Sequence, residues 1–252
     1  MLITPLEQFQ IISLFSFKLF FLDFSFTNLL LVNLITLFGF SYLISLLSGK
    51  DDTFFIIPNT WQVLVELVYE TSSLLIMDTI NKEGEKYFPF ISVIFSFILL
   101  ANLIGLMPYS FTITSHLVIT FSLSFAIFIG VTIICMKKHK FVMLSLFMPS
   151  NTIFGLALLL VPIEFISYLF KPISLGVRLF ANLMAGHTLL KVIVGFAWSM
   201  LLLDDLFLSL AHLLPLFILV ILMGLELGVA IVQAYVFTIL TCIYLNDSIN
   251  LH

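Results

Sequence analysis

The chain has very little charge. Asp, Glu, Lys and Arg together make up 10% of its 252 residues, against about 25% in soluble domains. Hydrophobic residues make up 62%, and a water-soluble fold of this size would have to place much of that apolar surface on its exterior. These proportions exclude a soluble enzyme, a nucleic-acid-binding protein and a disordered chain. They indicate a polytopic membrane protein.

Cysteine and arginine are also scarce. The two cysteines, Cys135 and Cys242, lie in apolar runs without the spacing of metal ligands, so we interpret them as core residues and expect no metal site. Nine of the ten basic residues are lysines, and the tenth is Arg178. Nothing in the sequence predicts a cofactor, a catalytic centre or a nucleic-acid partner.

Apolar runs of about 20 residues or more, long enough to cross a bilayer, predict an all-α membrane protein formed as one polytopic domain over 1–252. The predicted elements are a first membrane helix at 25–48, an amphipathic surface helix at 59–86, membrane helices at 88–107 and 117–136, and a long hairpin of 151–203 and 207–247.

The segment 59–86 carries too many charged residues for a lipid span. It opens on Asn59 and Thr60, either of which can cap a helix, and its apolar residues recur at three- and four-residue steps. This pattern predicts an amphipathic helix on, or shallowly in, the membrane. A helix in a soluble loop is the alternative.

The two last runs are each roughly twice as long as a hydrocarbon core of about 30 Å requires. Each run either splits into two upright spans or lies strongly tilted as half of a hairpin. Five ionisable residues are spread through the first run, namely Glu164, Lys171, Arg178, His187 and Lys191. Upright spans would put several of them into lipid, so the tilted hairpin is favoured. The lysines at 50, 82, 86, 137, 138 and 140 fall on one face, which the positive-inside rule makes cytoplasm-like or, in a mitochondrion, the matrix side.

Arg178 is a permanent cation within an apolar run, because a guanidinium stays protonated at physiological pH. Such a charge requires an anionic partner. Glu164 and Glu226 are candidates within the chain, and a carboxylate on another chain would also serve. A structural arginine paired inside the helix bundle is the alternative interpretation.

Helix geometry places the other polar residues of the first long run relative to Arg178. At 100° per residue, Glu164 and Asn182 both fall within about 40° of Arg178. His187 falls about 180° away from Arg178 on a straight helix. The alternative to a functional role for His187 is that of a hydrogen-bonded packing residue.

A polar stripe runs along the last helix as well. Glu226, Gln233 and Tyr244 lie within about 20° of one another in successive steps, and Asp247 continues the stripe to the basic face. A narrow polar stripe on an apolar helix lines water or a polar partner rather than lipid. The small residues Gly224, Gly228 and Ala230 beside it would let another helix approach closely.

The groups that can exchange protons fall into two sets. Glu164 and Asp247 lie toward one side of Arg178, and His187 and Glu226 toward the other. Two such sets separated by a cation that does not titrate indicate two half-paths for protons that do not connect.

Three segments carry a resemblance to a known family. The run SLGVRLFANLMAGH at 174–187, the run ANLIGLMPYSFT at 101–112, and Glu226 followed by QAYVF at 233–237 are similar to subunit a of the F-type rotary ATP synthases, in its mitochondrial form. The match covers most of the chain and is poorest before about Thr27.

This resemblance implies a role for each polar residue. Arg178 would face a ring of c subunits and attract each ring carboxylate in turn. His187 and Glu226 would form the proton-uptake path, Glu164 and Asp247 the release path, and Asn182 and Gln233 would be polar residues near the arginine. The family also implies that the long hairpin packs against the rotor ring.

The resemblance further implies a subunit that is not catalytic alone. Its partners would be the c ring, other membrane and peripheral-stalk subunits, protons and the lipid bilayer. Histidine at 187 with glutamate at 226 is the order of the mitochondrial type, which favours the mitochondrial inner membrane over a bacterial plasma membrane.

Two other functions compete with this interpretation. A proton- or ion-coupled secondary transporter would show internal repeats and broken helices, and the sequence has no repeat. A structural subunit of a respiratory complex would leave Arg178 and the Glu226 stripe without a role.

Overall fold

The computed structural model of the chain describes residues 7, 9–16, 18–19, 22–47, 59–107, 110–140, 154–202 and 211–250. This part is helical almost throughout. Its α-helices are α1 (Asn28–Leu47), α2 (Thr60–Ile80), α3 (Phe88–Gly105), α4 (Leu117–His139), α5 (Phe154–Leu201) and α6 (Leu213–Ile249). Two 3-10 segments, Asn81–Tyr87 and Ile113–Ser115, lie before α3 and before α4.

Four of the described helical segments are long and apolar enough to cross a membrane: Gly84–Gly105, Leu117–His139, Leu159–Leu201 and Leu213–Ile249. Helix α1 adds a shorter apolar stretch, Asn28–Tyr42. The prediction of an all-α membrane protein is confirmed.

The distribution of side chains also suits a membrane. Large apolar side chains stay exposed, as at Val118 (77%), Phe217 (68%) and Trp198 (63%), whereas Asn102 and Thr238 are fully buried. Apolar residues outside and polar residues inside are the arrangement expected when the surrounding solvent is lipid.

The first helix begins at Asn28, three residues after the predicted start of the run at 25–48. Strand β1 (Ser13–Phe15) pairs antiparallel with β4 (Phe26–Thr27), and β2 (Lys18–Leu19) with β3 (Leu22–Asp23). The Thr27 hydroxyl accepts a hydrogen bond from Leu30 N at 3.4 Å. The extended segment ends with the paired residues Phe26–Thr27. The helix starts at the next residue, because a hydroxyl at the N-cap satisfies a free amide of the first turn.

Two other helices end at residues other than the predicted ones. Helix α3 stops at Gly105, before the predicted 107, and the Ser110 hydroxyl donates to the carbonyls of Ile104 (2.8 Å) and Gly105 (3.1 Å). Helix α4 continues past the predicted 136 to His139, with Lys137 and Lys138 in its last turn. Cations stabilise that end of a helix because they face its negative dipole.

The segment predicted as a surface helix at 59–86 forms α2 and then the 3-10 segment Asn81–Tyr87. Asn59 is its cap residue, since its side-chain oxygen accepts from Thr60 N at 3.2 Å. Only the second half of α2 has buried residues, namely Ser72, Leu75, Ile76 and Ile80. The position of α2 on a membrane stays a prediction.

The two long runs each form one unbroken helix. Helix α5 has 48 residues and contains both Pro162 and Pro172, and α6 has 37 residues. Of the predicted hairpin, 151–153, 203 and 207–210 lie outside the described residues, as does the connection 204–206 between its two runs. Neither helix is divided into two spans.

The described residues form two compact units. The first takes its described residues from the ranges Met1–Phe54, Ser96–His116 and Phe180–Ala234, and the second from the ranges Phe55–Phe95, Leu117–Leu179 and Tyr235–His252. The interpretation of 1–252 as one polytopic domain stays a prediction. Polar contacts between α5 and α6 occur inside each unit.

Candidate functional site

Arg178 lies in the second unit, on a part of α5 that packs closely on α4. A Cβ added at Gly176 would lie 2.9 Å from Ser124 Oγ and 3.2 Å from the Thr120 carbonyl oxygen. Leu179 is fully buried beside this contact. The close approach fixes the α5 backbone two residues before the arginine.

The Arg178 side chain is itself exposed. Among the described residues it forms no hydrogen bond and no ion pair, with Glu164 or with any other acid. Glu164 is exposed too. Arg178 therefore presents a permanent charge on the outside of an apolar helix.

His187 and Glu226 lie together in the first unit. The distance from His187 Nδ1 to Glu226 Oε1 is 3.8 Å, and both residues are 7% exposed. Three buried atoms of the pair, His187 Nε2 and both carboxyl oxygens of Glu226, have no hydrogen-bond partner among the described residues. The ring of Phe9 meets the imidazole edge-on, with centroids 6.4 Å apart. Buried polar atoms of this kind are usually satisfied by water.

Gly186 leaves room for the Glu226 carboxyl group. A Cβ at this position would lie 2.5 Å from Glu226 Oε1 and 3.0 Å from its carboxyl carbon. Any side chain at 186 must therefore move the carboxyl group or the helix. The sequence shows a glycine beside His187, but nothing in it reveals this contact across two helices.

The resemblance implies that His187 and Glu226 belong to a proton path. On that expectation Gly186→Ala should displace Glu226 from His187 and slow proton transport by about tenfold, less than the roughly 100-fold or more that complete loss of a positioned proton-transfer group costs. Gly195→Ala is the matched control, since a Cβ at Gly195, on the same helix, meets nothing within 4 Å. ATP-driven proton uptake by membrane vesicles measures both variants. Equal rates for the two variants would show that the contact has no role in transport.

The first unit holds a second polar pair between the same helices. Asn182 Nδ2 donates to Gln233 Oε1 at 2.9 Å. Because 182 precedes 187 on α5 while 233 follows 226 on α6, the two helices run antiparallel here. Asn102 of α3, fully buried, donates to the Ala230 carbonyl at 3.2 Å and so holds the α6 backbone between the two pairs.

The second unit joins α5 and α6 by an ion pair. Lys171 Nζ lies 3.3 Å from Asp247 Oδ2, 5.1 Å from the centroid of the Tyr244 ring and 5.8 Å from that of Tyr168. These four side chains border a small cavity whose remaining lining is Phe128, Val131, Cys135 and Ser248. Lys171 had no predicted role, although its place seven residues before Arg178 puts both on one face of a helix.

The structure thus brings together His187 with Glu226 and Asn182 with Gln233, as two pairs within one unit. It places Asp247 beside Lys171 and leaves Glu164 exposed. Within the described residues, no group of three or more His, Cys, Asp and Glu side chains is placed to hold a metal ion.

Comparison with known proteins identifies the family of the chain. The family model described as ATP synthase A chain matches residues 26–246. ATP synthase subunit a of Pylaiella littoralis is 54% identical over 249 residues, which cover 99% of each chain.

Two further relatives have the same printed name. The protein from Oenothera berteroana is 50% identical, over 99% of this chain and 90% of its own. The protein from Marchantia polymorpha is 48% identical, over 99% of each. The chain therefore belongs to the ATP synthase A chain family, the proton-translocating subunits of the enzyme's membrane sector.

Proposed function

We propose that this chain is the stator subunit that passes protons to and from a rotating ring of c subunits through two half-paths separated by Arg178. The observation that carries the proposal is the exposed guanidinium of Arg178, which has no ion-pair partner among the described residues. A permanent charge on an apolar helix requires a counter-charge. A carboxylate of another chain, presented at the surface of α5, fits that requirement.

Two glycines on the surface of α6 favour contact with a helix of another subunit. A Cβ at Gly224 or at Gly228 would meet nothing within 4 Å inside this chain, so both glycines face open space. Small residues on an exposed apolar helix allow a neighbouring backbone to approach closely. The ring of c subunits, which the family resemblance implies, would supply both the helices and the carboxylates.

The uptake half-path is proposed to contain His187 and Glu226, followed by Asn182 and Gln233. Carboxylate and imidazole groups can both bind and release protons, and the imidazole does so near neutral pH. The buried and unsatisfied atoms of the first pair suit a site that is completed by water. The amide pair cannot titrate, so its proposed role is to orient water or a side chain near Arg178.

The release half-path is proposed to lead past Asp247 and Glu164 to the basic face. Along α5 the order is Glu164, Lys171, Arg178, Asn182 and His187, so the arginine separates the two sets of groups in sequence. A proton that cannot pass the fixed cation must travel on a ring carboxylate.

The driving force fits such a motor. One elementary charge that crosses about 100 mV releases roughly 2.3 kcal/mol, and this energy turns the ring only if direct passage is blocked. ATP is made by other subunits of the complex in this proposal, and the chain has no catalytic site of its own. The mitochondrial inner membrane is the proposed location, because histidine at 187 with glutamate at 226 is the order found in the mitochondrial type.

Purification of the complex under mild detergent tests the proposed partners. We expect the chain to co-purify with a ring of small two-helix subunits and with stalk subunits. Isolation as a free chain that transports a solute would support a secondary transporter. Isolation with electron-transfer subunits alone would support a structural role in a respiratory complex.

A further inference from the structure

Lys171 is a cation of α5 to which the proposed mechanism gives no role. Its ammonium lies between the Asp247 carboxylate, 3.3 Å away, and the faces of Tyr168 and Tyr244. All four residues belong to the second unit. Aromatic faces attract cations through their quadrupole, so the carboxylate and the two rings together hold the ammonium in place.

The position of Lys171 on α5 places this cation between Glu164 and Arg178. Lys171 lies seven residues after Glu164 and seven before Arg178, and each interval is about 10 Å along the helix with a rotation of only about 20°. The three residues therefore share one face of α5. A positive charge at Lys171 lies midway along the proposed release half-path.

An uncompensated cation at this point would oppose the passage of a proton. Asp247 is the only acid among the described residues that forms an ion pair with Lys171, and Glu164 forms none. A group that carries protons has to bind and release them in turn, whereas the carboxylate of Asp247 is already engaged by the ammonium.

We infer that Asp247 serves the release half-path as the counter-ion of Lys171, and that it does not carry protons itself. This inference rests on the proposed function. It makes Asp247 and Lys171 one electrostatic unit, in which neutralising the acid alone is harmful and neutralising both partners is not. Glu164 is then the carboxylate of this half-path that exchanges protons.

A double-mutant comparison tests the inference in membrane vesicles that contain the whole complex, by the initial rate of ATP-driven proton pumping. Asp247→Asn should lower the rate by about tenfold, the effect of one uncompensated charge about 10 Å from the moving proton at an effective dielectric constant of about 20. Lys171→Gln combined with Asp247→Asn should restore the rate to within about twofold of the unaltered complex. Lys171→Arg should leave the rate unchanged, because arginine keeps the charge and stacks on tyrosine.

The outcomes separate three roles for Asp247. If it carries protons, or if the ion pair only fastens α6 to α5, the double variant will be as slow as Asp247→Asn, and the inference is wrong. Wild-type pumping by Asp247→Asn would also overturn it. Exchange of the two residues, Lys171→Asp with Asp247→Lys, keeps the pair and gives a second rescue in case the amide variants assemble poorly. Arg178→Ala in the same vesicles tests the proposed function separately, because that variant must fail whatever Asp247 does.

Discussion

Replacement of Arg178 by alanine is expected to abolish proton-driven ATP synthesis. The guanidinium is exposed, permanently charged and free of ion pairs among the described residues, so its removal takes away both the attraction for a ring carboxylate and the barrier between the half-paths. ATP synthesis by vesicles under an imposed proton gradient measures the effect. We expect no synthesis above that of vesicles whose gradient has been dissipated by an ionophore.

Arg178→Lys is the matched variant, since it keeps a cation at the same place. A lysine is a point charge that loses its proton when it is desolvated, and it lacks the planar fork of the guanidinium. We therefore expect the lysine variant to retain little synthesis. Coupled synthesis at the wild-type rate in either variant contradicts the role of Arg178.

Glu226→Gln is expected to slow proton uptake strongly while the membrane stays tight to protons. Its carboxyl group is buried beside His187, at 3.8 Å, and an amide of the same shape cannot carry a proton. Loss of a positioned proton-transfer group costs on the order of 100-fold in rate. The Arg178 barrier is untouched by this change, so pumping should fall without a rise in passive leak.

Glu226→Asp is the control for this second prediction, because it keeps a carboxyl group on a shorter side chain. We expect it to pump faster than Glu226→Gln. Pumping and the decay of an imposed pH gradient are to be measured on the same vesicles. A large leak in the glutamine variant would mean that the half-paths are connected through Glu226.

The class of fold follows from the sequence because lipid imposes simple requirements. A segment of about 20 apolar residues has few alternatives to a membrane helix. The two last apolar runs accordingly form α5 and α6. The ends of the helices depend on particular side chains instead. Ser110, for example, donates to the last carbonyls of α3 from a loop. The spacing of apolar residues in the sequence does not predict this role.

The functional polar residues can be identified from the sequence because an ionisable group in a membrane span costs free energy and by default marks a functional site. Helical spacing alone placed Glu226 and Gln233 on one stripe. It could not give their partners, since the pairs with His187 and Asn182 depend on how α5 and α6 lie against each other. For the same reason Gly186 and Lys171 had no predicted role, and Asp247 was assigned without its ion pair.

Passive proton conduction through the membrane sector tests most directly whether Arg178 separates two half-paths. Vesicles reconstituted with the whole complex are given no nucleotide, so that the attached catalytic head keeps the ring from turning, and the decay of an imposed pH gradient is compared for the unaltered chain, Arg178→Ala and Glu226→Gln. The mechanism predicts faster decay for Arg178→Ala alone, because only that change removes the barrier. Decay at the wild-type rate in Arg178→Ala, or equally fast decay in both variants, would contradict it.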